Sequence, residues 1–304
     1  MPQPPAEIAF RPATRGDTDA IHSLHRRCET HDRAPFATAL REIEEGFDRP
    51  YFDPGLDSRV AVATDGRVVG FASIGYRPSG ERQERAFLDG MVDPDHRRRG
   101  IGTALFHWQV QRGTERLGAA GNDLPKFLRA HAWEWLTDAH ALYQRHGFEA
   151  ARWFDDMLRP LDDLPEVPEP TGVDIVPWDP DRSEEVRLAH NEAFADHWGS
   201  TPMPPESWAH WLTSHGIRTD LSFIAVAGSD SGAGPANTEG EVVGYAINGV
   251  FPDNFAVTGR QEGWIETLGV RKAWRGLGVA SALIAASLLA FSGEGLSHGA
   301  LGVD

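Results

Sequence analysis

Two stretches of this chain carry residue types that could hold a pyrophosphate. The first reads Met91-Val92-Asp93-Pro94-Asp95-His96-Arg97-Arg98-Arg99-Gly100-Ile101-Gly102-Thr103. The second reads Leu268-Gly269-Val270-Arg271-Lys272-Ala273-Trp274-Arg275-Gly276-Leu277-Gly278-Val279-Ala280-Ser281. In each, a Val closes an apolar run, an Arg stands five residues on, and the turn continues Arg-x-x-Gly-x-Gly/Ala. Glycines there let successive backbone N–H groups point into one concavity. A helix that follows adds its free N–H groups and the positive end of its dipole. The arginines add charge and forked donors. No Gly-Lys-Ser/Thr follows, which excludes a Walker loop. Leu105 and Ser281 stand where a dinucleotide fingerprint needs its third glycine.

The elements around the turns come in the same order twice. Ile8–Pro12 reads as an opening strand, and Asp17 or Thr18 caps a helix to about Cys28. A helix over 37–47, a loop at 51–55 and a hairpin turning at Asp65-Gly66 follow. Arg85–Val92 is the strand into the first turn and Thr103–Arg112 the helix out. Then come a strand at 126–130, a helix over 139–148 stopped by Gly147, and a last strand at about 151–158. The second pass opens at Val173 and repeats helix, helix, hairpin and strand, with Ser281–Phe291 as the helix out and a strand begun at His298. The hairpin loop 228–240 reads as floppy. The domain reading is therefore 1–160, an acidic, Pro-rich linker at 161–172, and 173–304. From Arg97 to Leu161 there are 64 residues, against 29 from Arg275 to Asp304. The second half thus reads as truncated, without its C-terminal helix and strands.

Bulk composition narrows the class. The chain has 304 residues, 40% hydrophobic and 24% charged, which fits two soluble globular domains. A formal charge of −16 disfavours nucleic acid and anionic membranes as main partners. Cys28 is the single cysteine, so no internal disulfide forms and a reducing cytoplasm fits. No signal peptide or apolar run of membrane length is evident. His22, His25, Cys28 and His31 walk around a helix at a spacing of three, so a solvated side is expected there rather than a metal site.

The doubled pattern of strand, Arg-x-x-Gly-x-Gly/Ala and helix resembles the acetyl-CoA loop of the GCN5-related N-acetyltransferases. Ala141-Leu142-Tyr143-Gln144-Arg145-His146-Gly147-Phe148 is a second mark of that family. The arrangement of two such domains in one chain is similar to the mycothiol synthase group, where the C-terminal domain does the chemistry. The resemblance implies an α/β fold with a mixed sheet, acetyl-CoA as acyl donor, a small-molecule amine as acceptor and no metal. It places the CoA against Gly90, Met91, Val92, Arg97, Arg98, Arg99, Gly100, Ile101, Gly102 and Thr103 in the first half. In the second half it places it against Leu268, Gly269, Val270, Arg275, Gly276, Leu277, Gly278, Val279, Ala280 and Ser281.

An amine attacks a thioester directly once it has lost a proton, so such a site needs a base and a proton donor. Glu266 lies four residues before Val270, and strict strand alternation puts it on the face of Leu268 and Val270. In many members of the family a Glu there is the base. Leu88 holds the matching place in the first half, with Asp89 facing away. In the family the tyrosine of the second mark stands near the CoA sulfur, which makes Tyr143 the acid candidate. Two readings follow: an acetyl-CoA-dependent N-acyltransferase acting on a small amine, or a CoA-binding regulatory or degenerate tandem module without turnover. His31–Phe36 and Asp196–Pro202 are the expected acceptor-side loops.

Overall fold

The structure is a computed structural model and describes residues 7–166, 168–228 and 240–304. Most of the hairpin loop expected at 228–240 lies outside the described residues. The chain forms two compact units, 1–151 and 152–304. No described helix is long and apolar enough to cross a membrane.

The first unit runs β1 (Ile8–Arg11), α1 (Thr18–Asp32), α2 (Leu40–Gly46), the short α3 (Pro54–Asp57), β2 (Ser58–Ala63), β3 (Val68–Tyr76), β4 (Glu84–Val92), α4 (Ile101–Gly118), β5 (Lys126–Ala130) and α5 (Thr137–Arg145). Its strands pair in chain order, antiparallel except for β4 and β5, which are parallel. Alternation decides what covers each face. Ile74, Ala86 and Leu88 pack under α4 with Phe106 and Leu117. Val60 and Val68 meet Ile21, Leu24 and Cys28 of α1 on the other face. His25 and Cys28 are therefore buried, contrary to the solvated side expected of them. Burial pushes the Cys28 thiol up to about 11. Among the described residues no His, Cys, Asp and Glu groups of three or more are placed to hold a metal ion.

The second unit runs β6 (Asp155–Pro160), β7 (Val173–Pro177), α6 (Ser183–Ala193), α7 (Pro205–Leu212), β8 (Phe223–Ala227), β9 (Val242–Val250), the unexpected α8 (Pro252–Thr258), β10 (Glu262–Val270), α9 (Val279–Gly293) and β11 (His298–Val303). Helix α9 is apolar all round, as befits a helix buried against the sheet through Leu283, Leu288 and Phe291. The sheet order is β6-β11-β10-β9-β8-β7. Strand β6 was expected to close the first domain at 160. It instead pairs antiparallel with β11, from Pro160 opposite His298 to Asp155 opposite Val303. The outer edge of β11 is thus paired with a strand from upstream. The segment read as a linker begins inside this unit, because Leu161 is buried in its core and its N–H donates to the Ser297 carbonyl (3.0 Å).

Candidate active site

Both turns fold alike. Strand β4 or β10 ends, a one-turn 3-10 helix follows, and the next four residues lead into α4 or α9. Arg97 and Arg275 are extended, Arg98 and Gly276 are left-handed (φ +62° and +79°), and Gly100 and Gly278 are left-handed helix N-caps (φ +85° and +84°). A Cβ placed on Gly100, Gly276 or Gly278 would meet nothing within 4 Å, so the turn stays open above them. Neither α4 nor α9 has a side-chain cap. Their first N–H groups therefore have no capping side chain as acceptor, as an anion site requires. Ile101–Thr103 and Val279–Ser281 form these first turns.

The leading arginines each hold groups of their own unit. Arg97 Nε donates to the Val92 carbonyl at 3.0 Å, and its two terminal nitrogens hold Asp32 at 2.6 Å each. Arg275 Nε donates to the Val270 carbonyl at 3.2 Å and Nη2 to the Ala193 carbonyl at 2.7 Å. Both brace the turn against the strand end and the last turn of α1 or α6. Arg98 reaches Asp138 at 2.9 Å and Arg99 the Asp95 carbonyl at 2.9 Å, both at the exposed rim. The turn's first residue reverses sign between the halves. Asp93 is fully buried and accepts from Arg27 at 2.6 Å. Burial alone would raise its pKa, yet its bonds to Arg27, His96 and the Asp95 N–H hold it below the usual range. Arg271 stands in its place, paired with Glu192 and Glu241.

The parallel strands part ahead of each turn. Strand β4 pairs with β5 only from Glu84 to Leu88, and β10 with β11 only from Glu262 to Ile265. Gly90–Val92 and Leu268–Val270 then continue beside one neighbour, β3 or β9. Their outer backbone edge can pair with an extended ligand arm. Gly90 is needed for closeness: a Cβ there would lie 2.9 Å from the Phe71 carbonyl oxygen.

Here the halves differ. The β3–β4 register is unbroken from Gly70–Val92 to Tyr76–Ala86. The β9–β10 register slips at Glu266: Ile265 faces Asn248, and Thr267 faces Ile247. A β-bulge turns the chain by one residue, so the strict alternation read for Glu266 fails. Its Cγ lies 3.1 Å from where a Cβ on Gly249 would be, which puts it on the side of Thr267 rather than of Leu268 and Val270. Glu266 is exposed, whereas Leu88 at the matching place in β4 is buried under α4. Gln109 of α4 donates to the Ser73 carbonyl (3.0 Å) and the Asp89 carbonyl (2.7 Å), tying β3 to β4 where β10 bulges.

Tyr143 packs on Phe106 with ring centroids 5.0 Å apart, and its hydroxyl donates to the His131 carbonyl at 3.1 Å. Burial, with Asp89 adding to it, pushes its pKa up to about 12, so the phenol stays protonated. In the second unit the loop after α6 meets the end of β11. His197 Nε2 lies 3.4 Å from Asp304, Arg152 bonds Asp304 at 2.9 Å, and the Arg152 guanidinium sits 5.4 Å from the Trp198 ring centre. Arg152 holds the Asp304 carboxyl below its usual range. The bulge had no signal in the sequence, since no Gly or Pro marks it; Arg152 was missed because it lies far upstream of Trp198 and Asp304, which it contacts.

Comparison with known proteins agrees with this geometry. The family described as "Acetyltransferase (GNAT) domain" matches residues 57–150, and "Acetyltransferase (GNAT) family" matches 184–303. A mycothiol acetyltransferase of Thermomonospora curvata is 31% identical over 245 residues, covering 79% of this chain and 71% of its own. A GCN5-related N-acetyltransferase from Sphaerobacter thermophilus superposes with a TM-score of 0.74 at 27% identity, covering 99% of this chain and 88% of its own. A tandem GNAT protein from the clavulanic acid biosynthesis pathway shares the fold, with a TM-score of 0.66 at 19% identity over 98% of this chain and 90% of its own.

Proposed function

Since the chain belongs to the GCN5-related N-acetyltransferases, with two such domains in tandem, we propose that its second unit transfers an acetyl group from acetyl-CoA to a small amine. The single observation behind this reading is the bulge that exposes Glu266 just where β10 leaves β11. The fit to acetyl-CoA is physical. Two uncapped helix starts each face a turn where glycines leave space for phosphate oxygens, and each is preceded by a strand stretch with a free pairing edge. When bound, the thioester supplies the acyl group.

The residues of this chain would do the rest. Gly276, Gly278 and the N–H groups of Val279–Ser281 would hold the pyrophosphate. The backbone of Leu268–Val270 would pair with the pantetheine arm and direct an N–H at the thioester oxygen. Glu266 would take the proton of the acceptor ammonium, directly or through one water, leaving the neutral amine to attack the thioester carbon; the C–S bond would then break and CoA leave as a thiolate that takes up the second amine proton. His197 and Trp198, steadied by Arg152 and Asp304, would form the acceptor wall. Curated relatives named mycothiol acetyltransferase make the acceptor of those enzymes one to try.

The first unit supports a second role. Its turn is built to the same plan, but Leu88 replaces the carboxylate and the register is continuous. We read it as a CoA-binding half without turnover, in which Tyr143 stays a candidate proton donor for a site that has lost its base. The test is release of CoA thiol from acetyl-CoA with a panel of small amines, for the native chain and for Glu266→Gln. Turnover that survives Glu266→Gln would reject the assignment of the base. Absence of acetyl-CoA binding would reject the function.

A further inference from the structure

We infer that Tyr245 is a positioning residue for the acyl site, coupling helix α6 to the bulged strand beside Glu266; this rests on the function proposed above. The observation is a buried hydrogen-bonded chain that the proposed chemistry does not use. His190 Nδ1 lies 2.6 Å from the Tyr245 hydroxyl, and that hydroxyl lies 3.2 Å from Thr267 Oγ1. Tyr245 has no exposed surface, and His190 is 9% exposed. Either tautomer of His190 closes the chain. If Nδ1 accepts, the tyrosine donates to it and accepts from Thr267; if Nδ1–H donates, the tyrosine accepts from it and donates its O–H to Thr267 Oγ1.

The ring of Tyr245 sets the depth of the same strand. Tyr245 lies opposite Gly269, and a Cβ on Gly269 would come within 2.6 Å of the ring. The aromatic therefore lies flat under the strand stretch that would carry the pantetheine arm. Trp208 meets the ring edge-on at 6.3 Å, and Phe194 stacks on His190 at 4.7 Å. Hydroxyl and ring together fix residues 267 and 269 on the two sides of Leu268. Thr267 is also the first residue after the bulge, so its anchor sets where Glu266 emerges.

The first unit is a built-in control. His25 stands fifteen residues after Phe10, as His190 stands fifteen after Ile175, and these two strand residues pair identically with Ala61 and Ala225. The partner of His25 is Phe71, 6.4 Å away between ring centres, opposite Met91. Phenylalanine has no hydroxyl, so no chain reaches β4, and His25 Nε2 is buried without a hydrogen-bond partner. The unit without the bulge is the unit without the hydroxyl.

The experiment compares the full chain with Tyr245→Phe, Thr267→Val, the double variant and Thr267→Ser. It measures hydrogen–deuterium exchange over 262–270, kcat, and KM for acetyl-CoA and the amine. Each of the first two changes is expected to raise exchange at 267–269 severalfold, as a loosened local unit would. Each should lower kcat about tenfold, the size of one lost hydrogen bond, with KM for acetyl-CoA within about twofold. The double variant should be no worse than either single change, because both break one chain. Thr267→Ser keeps the hydroxyl and should match the native protein. Additive losses overturn the inference, as does a lower melting temperature with unchanged kcat and unchanged exchange at 267–269. A native chain that binds acetyl-CoA but acetylates no amine would remove the proposed function. The exchange data would still decide the coupling, which unaltered rates at 267–269 would reject.

Discussion

Strands β4 and β10 have the same length, lead into turns of the same plan and part from their parallel neighbours within one residue of the matching place, yet one is a straight ladder and the other bulges. In β4 the residue at the critical place is Leu88, buried under α4, and Gln109 binds the two ladder carbonyls beside it. In β10 the residue is Glu266, exposed at the slip, with Thr267 held by Tyr245. The lesson is that an open turn before a helix start and a bulged strand are separable. The turn needs only left-handed backbone and a helix start. The bulged strand has an irregularity that takes one carboxylate out of the alternation.

The sharpest way to break this comparison is Glu266→Gln. Turnover should fall about 100-fold, the range for loss of a general base, with acetyl-CoA affinity unchanged. Steady-state rates beside calorimetric titration would show it. Next come the turns. Gly278→Val puts a branched residue at φ +84°, where strain and bulk both oppose the open cradle. Calorimetry should show acetyl-CoA binding to the second unit weakened by about tenfold or more. Gly100→Val should do the same for the first unit and leave turnover intact.

A smaller effect tests the packing under β10. Gly269→Ala drives a methyl into the Tyr245 ring and should cost about 1–3 kcal/mol in urea unfolding. Gly102→Ala should be neutral within about 0.5 kcal/mol, since a methyl there meets Val92 at an ordinary 3.6 Å and Ala280 fills the matching place. The smallest effect separates the units by acid. The bidentate bond from Arg11 holds Asp17 at about 2 against its burial. A carboxyl lowered on folding contributes stability above its unfolded pKa, and this is lost as pH falls from about 4 towards 2. The second unit has Arg182 at the matching place. Urea melts between pH 5 and 3 should show the first unit weakening more steeply, and Asp17→Asn should flatten that slope.

Much of this molecule was legible in its residues. Periodicity and turn chemistry located nearly every strand and helix, and the repeat doubled the force of each local signal. The two turns were readable because left-handed backbone calls for glycine and a helix start follows at once. Helix α8 was missed, since Pro252–Thr258 is short and its pattern resembles a loop. The contacts of Arg97 and Arg275 with their own units were not foreseen, because a guanidinium serves a carbonyl or a carboxylate as readily as a phosphate.

What the chain by itself determined, then, is local: the turns, the helices that follow them, the alternation of each strand, and the presence of a carboxylate in one half where the other has leucine. Those features depend on a few neighbouring residues and on backbone sterics. Tertiary structure alone decided that β6 pairs with β11, that β10 slips at Glu266, and that His190, Tyr245 and Thr267 join into one chain. Strand pairing and register are chosen by contacts between residues far apart in the chain, and no spacing within a single strand encodes them.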